Sequence, residues 1–225
     1  MFKTETHVHM AECSRCARIG AEEMIKLYRD AGYKTVFISD HFQLQYFRQF
    51  DANVLWTEQT SQFLIGYEKA KEAGVKYGVN VILSAELRFN NSPNHYLLYG
   101  IDKSFLDSRP DILNMTIEEF YPYAKSRGVT VVQAHPFRDG KCTPMPNYID
   151  AVEVYNSNPR HENFDAKTLE MAKKFNLPIT AGSDSHRIED VALSGVISEK
   201  EIKTAEDYVE LMLSGKLQII KQGEK

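Results

Sequence analysis

The apolar runs of this chain stop, one after another, at an ionisable side chain. VFIS ends in Asp40-His41, VNVILSA in Glu86, VTVVQA in His135 and LPITAGS in Asp184-Ser185-His186, while AVEVYN holds Glu153 and ends in Asn156. The runs are short and β-branched, and they alternate with helical patterns. Strands are predicted at Lys3–His9, Thr35–Ser39, Asn80–Ala85, His95–Ile101, Val129–Gln133, Ala151–Tyr155, Pro178–Ala181 and Gln218–Lys221. Between them GAEEMIKLYRDAG, TEQTSQFLIGYEKAKEAG, TIEEFYPYAKSRG, NFDAKTLEMAKKFN and TAEDYVELMLSG read as helices, with Thr116, Asn163 and Thr204 as N-caps and glycine closing three of them. Such alternation implies βαβ units, a mostly parallel sheet and a barrel-like α/β fold. In a parallel barrel the carboxyl ends of the strands build the functional rim, and that is where the ionisable residues fall.

With 225 residues the chain suits one domain spanning 1–225, and no low-complexity linker or repeat divides it. Its net charge of -4 argues against an extended basic surface, so a long nucleic acid is not the expected partner. No apolar run approaches the roughly 20 residues of a membrane span, and the N-terminus lacks the apolar region of a secretion signal. The expected compartment is the cytoplasm. Cys13, Cys16 and Cys142 are too few for a disulfide framework; the CxxC of Cys13 and Cys16 reads as two reduced thiols rather than a redox pair or a zinc site, since no second ligand pair follows it.

The stretch THVH puts His7 and His9 on one face of a strand, because residues i and i+2 point the same way. His95 begins its strand instead of ending it. If Glu86 closes one arm of an antiparallel hairpin through RFNNSPN, His95 opens the other arm on the same rim. Six of the seven histidines then share that rim: His7, His9, His41, His95, His135 and His186, with only His161 elsewhere. Imidazoles joined by Glu86 and Asp184 are the usual ligands of zinc, manganese or iron, and their number exceeds one tetrahedral site. Two or three metals with a bridging carboxylate such as Glu86 are expected.

THVH, SDH, AE followed nine residues later by the histidine of NHYLLYG, AHPFR and GSDSH together resemble the PHP family of polymerase and histidinol phosphatase domains, over nearly the whole chain. The resemblance implies a distorted (β/α)7 TIM-like barrel with two or three divalent ions (Zn, Mn or Fe) at its carboxyl rim, and hydrolysis of phosphate esters. Carried over by motif, His7, His9, Glu86 and Asp184 form one metal site, Glu86, His95 and His135 a second, and His41 and His186 part of a third. The loop after HVH lacks the usual third-site His or Asp. Glu12 is its nearest substitute, with Cys13 or Cys16 behind it.

The expected reaction is hydrolysis of a small phosphate monoester, as in a histidinol phosphatase, by a metal-activated hydroxide. Asp184 and His186 are candidates for proton handling as well as ligation. Arg138 and Arg160 are the candidate phosphate-binding residues, with Arg88 and Arg187 behind them, and Glu153 and Asn156 are expected to orient ligands. The alternatives are a nucleotide phosphodiesterase or nuclease of the same family and a metal-holding module without chemistry.

Overall fold

The computed structural model describes residues 1–221. In chain order its elements are β1 (Phe2–Val8), α1 (Ala21–Asp30), β2 (Tyr33–Ile38), β3 (His41–Phe42), α2 (Leu44–Phe47), α3 (Trp56–Phe63), α4 (Ile65–Tyr77), β4 (Asn80–Arg88), β5 (His95–Tyr99), α5 (Lys103–Asp107), α6 (Ile117–Ser126), β6 (Thr130–Ala134), β7 (Ala151–Asn156), α7 (Asp165–Phe175), β8 (Ile179–Gly182), β9 (Gly195–Ser198), α8 (Ala205–Leu213) and β10 (Gln218–Ile220). Every predicted strand is present, with ends within two residues of those expected except that β4 runs three residues beyond Ala85, to Arg88. The two-residue β3 and the short β9 are additions, too brief to leave a period in the sequence. The long helix predicted from TEQTSQFLIGYEKAKEAG is two helices that meet at Leu64, and the second runs on to Gly78, a left-handed cap with φ of 69°.

The strands lie in the order β10-β9-β1-β2-β4-β5-β6-β7-β8, with β3 pairing β4 beside the path. Pairing is parallel from β1 through β2 to β4 and from β6 through β7 to β8, whereas β5 runs antiparallel to both neighbours. The chain leaving β8 returns to β1: Ser185 N–H donates to His7 O at 3.2 Å and His9 N–H to Ser185 O at 3.0 Å. The result is a nearly closed, distorted TIM-like barrel. Its distortions are the reversed β5 and a connection from β6 to β7 made of short 3₁₀ turns instead of an α-helix. Among the described residues no helix is long and apolar enough to cross a membrane.

Alternation divides the core into layers. Val36 and Ile38 of β2 pack outward with Met24, Ile25 and Tyr28 of α1, while Phe37 joins Leu97, Tyr99, Val132 and Ala151 in the interior. Helix α8 seals that interior at the amino ends of the strands. Tyr208 packs at a tilt against Phe37 and Tyr99 with ring centroids 4.9 and 4.7 Å away, its hydroxyl sits 2.6 Å from Thr180 Oγ1, and Thr35 donates to Ile202 O at 2.6 Å. The barrel is therefore a packed core with a floor, not a pore. Thr116 and Thr204 cap α6 and α8 as predicted, accepting from Glu119 N and Asp207 N. Asn163 does not cap α7. Phe164 holds that position, and the Asn163 side chain turns to Arg138 and Asn156.

Gly74 lets α4 lie directly on β4: a Cβ there would stand 2.5 Å from Val79 O and 2.8 Å from Val81 Cγ2. Neither backbone nor sheet can yield. Gly74→Ala is expected to destabilise the fold by about 1–3 kcal/mol, the cost typical of overpacking, read as a lowered thermal midpoint. An unchanged midpoint would mean that α4 shifts freely on the sheet.

Candidate metal centre

The rim residues arrive from different strands. His7 and His9 come from the end of β1, Glu86 from β4, His135 directly after β6, and Asp184 and His186 after β8. The register of β3 on β4 places His41 opposite Glu86, and the antiparallel β4–β5 pair sets Arg88 against His95. The hairpin expected for RFNNSPN thus forms, and it brings His95 beside Glu86.

Glu86 is the centre. Its Oε1 lies 2.9 Å from His95 Nδ1, 3.0 Å from His135 Nε2 and 3.4 Å from His7 Nε2; its Oε2 lies 2.6 Å from His41 Nδ1 and 3.7 Å from His9 Nε2. Asp184 Oδ1 sits 3.2 Å from His9 Nε2, 3.5 Å from His7 Nε2 and 3.4 Å from His186 Nδ1. Four overlapping triads could hold an ion, each with its donor atoms within 4.8 Å: His7-His9-Glu86, His7-His135-Asp184, His41-Glu86-His95 and His9-His41-His186. The eight histidine and carboxylate positions expected at the rim are all in this cluster.

The donor set fits metal ions. His7 Nε2, His9 Nε2, Glu86 Oε2 and Asp184 Oδ1 are buried, and no hydrogen bond of acceptable geometry satisfies them. Each unsatisfied buried group costs about 1–3 kcal/mol, a cost that cations at the shared focus of these atoms remove. Burial alone would raise the Glu86 carboxyl, but His95, His41 and His7 hold it well below the usual carboxylate range. Burial opposes ionisation of Asp184 too, and His7 and Arg138 outweigh it. His9 is pushed well down by burial and by His41 and His186, and His135 to about 3 by burial and Arg138. Despite burial, the facing carboxylates raise His7 and Glu86 raises His41 to about 10, so ions entering the cluster would displace protons from those two rings while finding His9 and His135 already neutral.

A shell behind the donors fixes them. His7 Nδ1 lies 2.8 Å from Glu153 Oε1, whose Oε2 accepts from His135 N and from Asn156 Nδ2, as expected for residues that orient ligands. Gly182 makes this possible, since a Cβ there would meet His7 Cβ at 2.5 Å. His135 and Asp184 both adopt left-handed backbone, with φ of 30° and 51°, a strain that surrounding hydrogen bonds hold in place. Sequence reasoning missed Glu5, which accepts from His7 N and Ser183 N beneath the cluster, and Asp190, which accepts from His186 N. The alternation of TETHVH was a usable signal for Glu5, because it lies on the same strand face as His7 and His9.

One expected ligand stands elsewhere, and the two arginines have partners within the protein. Glu12 is not in the cluster: its carboxylate accepts from Ala21 N at the start of α1, where the helix dipole favours it. Cys16 stands nearer. Burial would raise its thiol, but hydrogen bonds with His186 and His41 bring it down to about 6. Cys13 is buried, and its thiol is pushed up by burial. The two arginines have other partners than phosphate. Arg138 donates to Asp184 at 2.6 Å, Asn156 at 2.9 Å and Asn163 at 2.8 Å; Arg160 makes a two-pronged pair with Asp190 at 2.7 and 2.6 Å. Both still line the cavity of about 360 Å³ that opens onto the cluster. His161 lies at that mouth as well, paired with Asp139.

Residues 161–217 match a family model described as PHP-associated. No curated protein sequence matches the chain. Among solved structures it is similar to PsfC from Pseudomonas syringae, at 17% identity and a TM-score of 0.67 over 99% of this chain and 92% of that one. A two-domain protein of Bacteroides vulgatus, described as containing a PHP-like metal-dependent phosphoesterase, matches at 12% identity and a TM-score of 0.69, over 98% of this chain but 65% of its own length. A Bifidobacterium adolescentis protein described as a metal-dependent phosphoesterase matches at 15% identity and a TM-score of 0.57, over 96% and 97%. Both of these descriptions rest on prediction. At such identities the likeness is one of fold.

Asp40 lies behind His9 and is buried. Burial raises its carboxyl to about 7, although Met10 N and Ser14 Oγ donate to it. Between its ordinary value of 3.8 and about 7 the folded chain keeps a proton that the unfolded chain has lost, so stability falls as pH rises through that window. Asp40→Asn removes this term. Its urea midpoint relative to wild type is expected to climb from pH 5 to pH 8, and parallel profiles would show that Asp40 is ionised in the fold.

Proposed function

We propose that this chain is a PHP-type, metal-dependent phosphoesterase that releases phosphate from a small monoester. The observation that carries the reading is the focus of unsatisfied buried donors around Glu86 and Asp184 beneath an open cavity. His7, His9, Glu86 and Asp184 would hold one ion, His95 and His135 would share Glu86 with a second, and His41 and His186 would serve a third, for which Cys16 replaces Glu12 as the neighbouring donor. Bound divalent ions supply charge neutralisation at the phosphoryl group and an acidified water.

The chain's own residues do the rest. Asp184, fixed by Arg138 and Asn156, keeps its second oxygen toward His9. His186 lies at the cavity edge; its ligand role is preferred, and without a third ion it would be a candidate to pass a proton to the leaving oxygen. Arg138 remains the phosphate-binding candidate, because its Nη2 and Nε are tied down while the side chain still lines the cavity. Arg160 would first have to leave Asp190, and its better role is to hold the loop that carries His186.

The direct test is phosphate release from a panel of monoesters and diesters by protein loaded with manganese or zinc, against a chelated control. Chelator-sensitive release from monoesters is expected. Release from diesters only would favour the phosphodiesterase, and tight metal binding without any turnover would favour a non-catalytic module. Glu153→Ala is expected to weaken metal affinity by about 10- to 100-fold by freeing the His7 ring, measured by competition with a chelator. Unaltered affinity would remove Glu153 from the ligand support.

A further inference from the structure

The cavity above the cluster is strongly cationic on a chain whose net charge is -4. Five of its lining side chains are basic: Arg88, Arg138, Lys141, Arg160 and Arg187. The one carboxylate among them, Asp139, is paired with His161 at 2.9 Å. Two of the cations are already neutralised, Arg138 by Asp184 and Arg160 by Asp190. The other side chains are not, among the described residues: Arg88 donates its Nε to a carbonyl, Ser92 O, and meets no carboxylate; the Lys141 ammonium makes no hydrogen bond or ion pair, though Asp139 feels its charge; the Arg187 guanidinium has only the exposed Glu189 at 3.8 Å.

Arg88 and Lys141 belong to the same wall. Arg88 is the strand partner of His95, and Cys142, next to Lys141, donates its thiol to Pro93 O two residues before His95. A phosphoryl group held at the metal cluster therefore leaves these two cations beside the remainder of the molecule. The same lining has no Phe, Tyr or Trp, and its one ring outside the ligand set, His161, is paired with Asp139, so a nucleobase would find little to stack on.

Resting on the phosphoesterase reading, we propose that the substrate is a compact ester with a second anionic group, phosphate or carboxylate, on its carbon skeleton, and that Arg88 and Lys141 receive that group. Charged donors of this kind discriminate where a neutral hydroxyl would not.

The test compares glycerol phosphate, phosphoglycerate, glycerol bisphosphate and a nucleoside monophosphate with metal-loaded protein. The doubly anionic esters are expected to have kcat/KM at least about tenfold higher, the equivalent of one charge-assisted hydrogen bond. The ratio of bisphosphate to monophosphate should collapse toward one in the Arg88→Gln/Lys141→Gln variant. Phosphoglycerate against bisphosphate decides which anion is preferred. Calorimetric binding of propylphosphonate and propane bisphosphonate reads the same preference without turnover. Turnover of all esters with no preference in rate or binding overturns the proposal and leaves the phosphoesterase reading standing. Preferential bisphosphonate binding without turnover of any ester supports the anion site and overturns that reading. A preference that survives in the double variant, or a nucleoside monophosphate that outruns the doubly anionic esters, overturns it too.

Discussion

One carboxylate, that of Glu86, organises the rim. It is buried among five imidazoles, and its two oxygens face different sets of them. An ionised group in such a place needs positive charge around it, which protonated rings such as His41 or bound cations can supply. The barrel responds with a concentric arrangement. Glu86 is surrounded by ring nitrogens, the rings by Glu153, Asp184 and Ser14, and those in turn by Asn156, Arg138 and Asp40. Each layer limits the freedom of the one inside it. Unmatched atoms from four of these residues, His7 Nε2, His9 Nε2, Glu86 Oε2 and Asp184 Oδ1, meet at the focus, so the demand for cations comes from several strands together and not from any single residue.

The distortions of the barrel serve that centre. A parallel β5 would carry His95 to the opposite end of the strand from Glu86; because the strand is reversed, its first residue becomes a rim residue. The loss of a helix between β6 and β7 has a similar effect. It frees the segment after His135 to turn sharply, and Arg138 comes back over Asp184 and Asn156. Departures from ideal repetition thus cluster where the ionisable groups are.

Much of this was legible in the sequence, for a physical reason. Strand periodicity is local, so VFIS, VNVILSA and VTVVQA reveal both the strand and the residue that follows it. The hairpin that joins Glu86 to His95 was legible from its turn-rich link. What could not be read were contacts set by the packing of distant segments. Glu12 looked like a ligand because it follows HVH closely, yet the loop turns it toward the start of α1. Arg160 and Asp190 are thirty positions apart, and nothing local announces their pairing. Asn163 has the chemistry of a cap, but the pull of Arg138 and Asn156 decides its place.

Helix α8 has a wider meaning for traffic. With Tyr208 wedged between Phe37, Tyr99 and Thr180, the barrel is blind at one end. The main cavity onto the cluster then serves for both entry and exit, and it is ringed by arginines and a lysine. Arrival and departure must therefore alternate. On the proposed phosphoesterase reading, an anionic product lingering in that doorway would bar the next ester, so the basic ring that gathers reactants would also set how quickly the site empties.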